Sequence, residues 1–121
     1  MGSMAAKLHG GIEWLVDAHG CAPDRLRDRA AVIALLERIV ADMQLHVIAT
    51  SVHRFGGAGG VTALYLLAES HLAIHTFPET GLATLNAYCC SPRRGADWRA
   101  LLGDALGAHD VNVRELARGA P

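Results

Sequence analysis

The sequence predicts an α+β fold, a two-layer α/β sandwich in which two helices lie on one face of a mostly antiparallel sheet. Three observations lead there. The elements read in the order β, α, β, β, β, β, α, β, and four strands in succession with short connections argue for hairpins, which pair antiparallel. Only two stretches carry apolar residues at three- and four-residue spacing, too few helices to cover both faces of a sheet. The chain of 121 residues has the length of one domain, able to bury roughly two-thirds of its unfolded surface.

From Gly11 to His19, Ile12, Trp14, Val16 and Ala18 alternate with Glu13, Asp17 and His19, broken only by Leu15, as a half-buried strand does. Gly20-Cys21-Ala22-Pro23 turns the chain, and Pro23 or Asp24 opens a helix running to about Met43. Its apolar stripe is Leu26, Ala30, Ile33, Leu36 or Glu37, and Val40, with Arg25, Asp28, Arg29 and Arg38 on the wet side. His46 to Phe55 is rich in β-branched residues and reads as a second strand. The run Gly56-Gly57-Ala58-Gly59-Gly60 reads as a flexible hairpin loop; no Lys-Ser/Thr and no helix follow it, so it is no phosphate cradle.

Val61 to Ala68 and Leu72 to Phe77 form the third and fourth strands, and Leu82 to Cys89 a fifth or the continuation of the fourth across Pro78-Glu79-Thr80-Gly81. Pro92 and Asp97 introduce a second helix with Trp98, Leu101, Leu102, Ala105 and Leu106 as its stripe and Gly107 as its stop. Asp110 to Leu116 is a last short strand, and Ala117 to Pro121 is expected to be loose. Met1-Gly2-Ser3 ahead of Met4 resembles an expression-tag remnant, and residues 1–10 are set aside as a loose N-terminus. With both helices on one face, the other face stays apolar, and a symmetric homodimer would cover it.

Composition excludes several classes. Hydrophobic residues make up 51% of the chain and charged residues 19%, and the formal net charge of -1 offers no basic excess for nucleic acid. No start-proximal segment has the layout of a secretory signal, and no run approaches about 18 apolar residues, so no membrane partner is expected. The cysteines are three, Cys21, Cys89 and Cys90, and the adjacent pair would form only a strained bridge; a reducing cytoplasm is the expected location.

The chemistry concentrates in residues 60–90. There Glu69-Ser70-His71 interrupts two apolar runs, placing an acid, a hydroxyl and an imidazole where the sheet turns. Alone, such residues at a strand junction ordinarily serve turns and caps. The eleven residues Glu69-Ser70-His71-Leu72-Ala73-Ile74-His75-Thr76-Phe77-Pro78-Glu79, however, resemble the signature of the small (class 1) prokaryotic S-adenosylmethionine decarboxylases, a pyruvoyl-dependent family made as proenzymes. The likeness continues upstream through His53-Arg54-Phe55 and Gly60-Val61 and downstream to Cys90, and more loosely from Gly11 to about Glu115.

The resemblance implies that Ser70 attacks the carbonyl of Glu69, that the chain divides into residues 1–69 and 70–121, and that Ser70 becomes a covalent pyruvoyl group. That group would take a small-molecule substrate's α-amine as a Schiff base and draw electrons from the departing carboxylate, with no metal. His75 is implied as the proton donor in processing, Thr62 as its companion hydroxyl, and Cys90 as the proton donor in decarboxylation. Phe55 is implied against the adenine and Glu79 on the ribose hydroxyls. The product would be the aminopropyl donor of polyamine (spermidine) synthesis. Two residues depart from the family's habit: Thr62 stands where serine is usual, adding a methyl that restricts χ1, and Phe77 where tryptophan is common.

Ser70 and His75 lie five residues apart, roughly 16 Å on a straight strand, beyond reach of one another. Either the chain bends there, or Ser70 of one subunit works with His75 of the other; the resemblance favours the second, with active sites shared by two protomers. Three rival readings stand beside this one. A zinc site drawn from His53, His71, His75, Cys89 and Cys90 meets the difficulty that His71 and His75 are roughly 13 Å apart on a strand. The same pyruvoyl scaffold could act on ornithine or arginine, since Glu79 suits a guanidinium as well as a diol. A homologue that never cleaves and only regulates an active relative is the third.

Overall fold

The computed structural model describes residues 10–119. Six strands form one antiparallel sheet: β1 (Gly11–His19), β2 (Val47–Arg54), β3 (Val61–Leu67), β4 (Ser70–Phe77), β5 (Leu82–Cys89) and β6 (Asp110–Arg118). Their spatial order is β2-β3-β4-β5-β1-β6. Three consecutive hairpins build the run from β2 to β5, and β1 slots between β5 and the edge strand β6. Leu82–Cys89 is therefore a strand of its own, turned back across Pro78-Glu79-Thr80-Gly81.

Three helices cover one face: α1 (Pro23–Leu26), α2 (Arg29–Asp42) and α3 (Trp98–Leu106). The single helix expected from Pro23 to Met43 is broken. Asp28 leaves helical geometry and its side chain accepts the N–H groups of Ala30 and Ala31, an N-cap that starts α2 afresh. The buried stripe of α2 is Val32, Leu35, Leu36 and Ile39, with Val40 partly buried against the core as expected, in place of Ala30 and Ile33. α3 starts where expected, with Asp97 accepting from Ala100 N–H, and ends at Gly107 in the left-handed conformation.

Burial follows strand alternation. Ile12, Trp14, Val16 and Ala18 of β1, Val61, Ala63, Tyr65 and Leu67 of β3, Leu72 and Ile74 of β4, and Ala83, Leu85, Ala87 and Cys89 of β5 point under the helices. Among the described residues nothing covers the opposite face: Leu64 and Leu66 of β3 are 48% and 53% exposed. Two expectations at the ends change. β4 begins at Ser70 instead of Leu72, and the stretch from Ala117 is not loose, since Ala117 and Arg118 continue β6 by pairing with Ile12 and Gly11. Of the loose N-terminus expected at residues 1–10, residues 1–9 lie outside the described residues, as do residues 120 and 121 of the tail.

Candidate active site

The seven residues singled out from the sequence fall into two groups at opposite ends of β4. At its end, Thr62 of β3 pairs across from His75 of β4, and their Oγ1 and Nδ1 atoms are 3.0 Å apart in a hydrogen bond. Phe55, Gly59, Gly60, Thr62, His75, Phe77 and Glu79 line a cavity of about 390 Å³ beside that pair. Gly60 is needed there for lack of a side chain, because a Cβ would fall 2.0 Å from the carbonyl oxygen of Thr76. Thr76 in turn knits the floor, accepting from Val61 N–H at 2.8 Å and donating to the carbonyl of Leu26 at 2.5 Å. The ring of His53 meets that of Phe55 edge-on with centroids 4.6 Å apart. The volume lies within the usual range of small-molecule sites.

Glu69, Ser70 and Cys90 meet at the other end. Ala68 and Glu69 form a two-residue hairpin turn, since Leu67 already pairs with Ser70. Two-residue hairpins prefer turns with positive φ at a central residue, which is why Asn-Gly is common in them. Neither Ala68 nor Glu69 adopts it; Ser70 does, at φ 143°. A serine so held carries about 1–3 kcal/mol of backbone strain. The strain falls on the residue whose peptide bond the resemblance marks for cleavage.

The carbonyl of Glu69 accepts a 2.7 Å hydrogen bond from the backbone N–H of Cys90. That donor is aimed where negative charge would develop if a nucleophile added to the carbonyl. Cys89, paired with Ser70, is buried, while Cys90 is exposed, as strand alternation requires. Burial pushes the Cys89 thiol up, against the lowering effect of nearby Arg93. The Cys90 side chain is thereby the accessible thiol of the pair.

The Glu69 side chain turns inward and is 8% exposed. Its Oε1 accepts from the backbone N–H of His46 at 3.0 Å, its Oε2 lies 2.6 Å from His46 Nδ1, and Arg93 Nη2 stands 3.9 Å away. Burial works to raise the Glu69 carboxyl, but the hydrogen bonds from the His46 side chain and backbone outweigh it, and the net direction is downward. Neither His46 nor Arg93 was singled out from the sequence. They lie far from Glu69 along the chain, and no spacing rule links them to it.

β4 pairs without interruption with β3 from Ser70 to His75 and with β5 from Ser70 to Phe77, so the bend that would bring Ser70 to its own His75 is not there. The two groups of residues stay at the two ends of one straight strand. Among the described residues, no three His, Cys, Asp or Glu side chains are gathered in a way that could hold a metal ion. No helix among them is long and apolar enough to cross a membrane.

A two-layer sandwich with a strained Glu-Ser junction, a donor on its carbonyl and a substrate-sized cavity on the same sheet defines a class, the small single-sheet α+β enzymes. The family model for S-adenosylmethionine decarboxylase matches residues 12–119, and the chain belongs to that family. An S-adenosylmethionine decarboxylase proenzyme from Pyrobaculum islandicum is 35% identical over 89 residues, covering 74% of this chain and 71% of that protein. One from Thermoplasma acidophilum is 33% identical over 110 residues, covering 90% and 83%. The crystal structure of the adenosylmethionine decarboxylase from Aquifex aeolicus superposes with a TM-score of 0.79 at 31% identity, covering 95% of this chain and 93% of that one.

Proposed function

We propose that this chain is the proenzyme of a pyruvoyl-dependent S-adenosylmethionine decarboxylase that cuts itself between Glu69 and Ser70. The observation that carries the reading is the junction itself: a strained Ser70 whose preceding carbonyl already receives the Cys90 N–H. Ser70 Oγ loses its proton and bonds to the Glu69 carbonyl carbon; the carbon–nitrogen bond breaks and the nitrogen takes up a proton. Loss of the Ser70 α-proton then expels the Glu69 carboxylate, and water replaces the nitrogen as ammonia, leaving a ketone at the new chain start. The products are residues 1–69 and 70–121.

The residues in place fit such a group. Its ketone and adjacent amide would supply an electron sink for loss of carbon dioxide from an α-amino acid. Around it, His75, held by Thr62, serves as the proton donor for processing, and the exposed Cys90 thiol as the donor for the decarboxylated carbon. Phe55 offers an aromatic face to a nucleobase, and Glu79 a carboxylate able to accept two hydrogen bonds from a ribose diol. A sulfonium is welcome beside that carboxylate.

The unbent β4 leads to the quaternary proposal. Two copies pair their uncovered faces as a homodimer, and Ser70 of one copy works in the cavity that holds His75 of the other. The exposed Leu64 and Leu66 supply apolar contact on that face, and a polar row crosses it, in which Asn86 joins His71 to Glu13 and Glu13 joins Arg118. The three free thiols suit the reducing cytoplasm. Denaturing mass spectrometry tests the processing: two fragments, the second without a free amine and reactive toward a carbonyl reagent, support it, and an intact chain in active material overturns it. Carbon dioxide release measured separately from S-adenosylmethionine, ornithine and arginine tests the substrate, with the first expected to dominate.

A further inference from the structure

We propose that the Glu69 side chain, clamped by His46 and Arg93, is a positioning device for the self-cleavage: it pins the acyl half of the bond Ser70 breaks. The inference rests on the self-processing reading above and adds two residues, His46 and Arg93, that no part of that chemistry touches directly. A glutamate in a two-residue hairpin turn ordinarily points its carboxylate into water. This one points into the protein.

Its anchorage comes from three parts of the fold. His46, just ahead of β2, grips residues 68 and 69 together: its carbonyl accepts from Ala68 N–H at 2.8 Å, while its own N–H and Nδ1 engage the Glu69 carboxylate. With an ionised carboxylate opposite it, Nδ1 carries the proton and donates. Arg93 approaches from the loop after β5. It is itself fixed by donating from Nη1 to the carbonyls of Met43, at 2.7 Å, and Gln44, and from Nη2 to Ser91 Oγ at 2.8 Å. The third anchor is the Cys90 N–H on the Glu69 carbonyl. The charged or ionisable groups around the carboxylate are thus His46, Arg93 and the Cys89 and Cys90 thiols.

With side chain and carbonyl of Glu69 both held, the turn has little freedom before the Glu69–Ser70 bond, and the strain is left to Ser70 φ. The scissile carbonyl is thereby held in one orientation, its oxygen on the Cys90 donor. None of the three anchors crosses the bond that breaks, so the cut end stays where it was.

The test follows self-cleavage of freshly made precursor by denaturing mass spectrometry in the parent, Glu69→Gln, Arg93→Met, Arg93→Lys and His46→Ala. Folding is checked by thermal melting of each change in a Ser70→Ala background. Glu69→Gln and Arg93→Met are expected to slow the cut on the order of tenfold or more, and Arg93→Lys to recover part of the rate. Neutral hydroxylamine, which opens an ester but not an amide, separates the steps. It should not restore the rate, because the variants are slow to form the ester. Variants that fold and cut at the parental rate overturn the proposal, and so does restoration by hydroxylamine, which would place the defect after the attack. A parent that never cuts would instead sink the self-processing reading, and this inference with it.

Discussion

The sharpest prediction concerns which copy of the chain supplies the proton. Ser70 and His75 are separated by five residues of uninterrupted strand, roughly 16 Å. A proton donor must come within about 3 Å of the atom it serves, directly or through one water. No side-chain rotation closes a gap of that size, so under the proposed roles a single copy that carries both residues lacks a complete site. Two inactive variants, Ser70→Ala and His75→Ala, should therefore complement each other when made together. In the mixed dimer, one site joins the intact Ser70 of the His75→Ala chain to the intact His75 of the Ser70→Ala chain; the other site has neither.

With equal expression and random pairing, about half of all His75→Ala chains meet a Ser70→Ala partner. About half of them should be cut, and no Ser70→Ala chain should be. The assay reads the fragment of residues 70–121, whose mass identifies the chain it came from by the missing imidazole. His75→Ala expressed alone provides the baseline, expected to be slower than the parent by a factor on the order of 100 to 10,000, the usual loss on removing a general acid. Mixed material that is cut no faster than this baseline would refute the shared site, and processing within one chain would have to involve a rearrangement of β4.

The other predictions concern single residues. Thr62→Val, which keeps the shape and removes the oxygen bonded to His75, should slow self-cleavage by about fivefold, the worth of one ordinary hydrogen bond, while Thr62→Ser keeps the parental rate or exceeds it. Time courses of fragment appearance decide it. Glu79→Gln in processed enzyme should raise KM for S-adenosylmethionine by about tenfold with little change in kcat, because a charge-assisted contact to substrate is weakened and the reacting atoms are not. Stability should also respond to acid through Glu13. Burial raises its carboxyl, but the hydrogen bonds from Asn86 and Arg118 more than offset this and leave it below the usual glutamate range. A carboxyl lowered in the folded state contributes stability above its unfolded pKa and loses it as pH falls through the folded one. Melting curves of Ser70→Ala protein should then fall off on the acid side, and adding Glu13→Gln should flatten that decline.

Period-two alternation made most of the sheet readable, because a strand buried on one face writes its environment into every second residue, as Ile12, Trp14, Val16 and Ala18 do. The same local rule misled at Asp28, where polar residues fit a continuous helix and nothing in their spacing reveals that the Asp28 carboxylate captures two backbone N–H groups and restarts it. It failed again at Ala117 and Arg118, whose strand character comes from pairing with residues at the opposite end of the chain. The site divides along the same line. Thr62, His75, Phe55 and Glu79 were legible because a contiguous motif and its near flanks carry them, and folding gathers them round one cavity. The clamp on Glu69 was not, since its two partners approach from separate elements, one 23 positions upstream and one beyond β5. Local pattern thus marks the Glu69–Ser70 junction, whereas the contacts that hold that junction in place are assembled from distant residues and exist only once the sheet has formed.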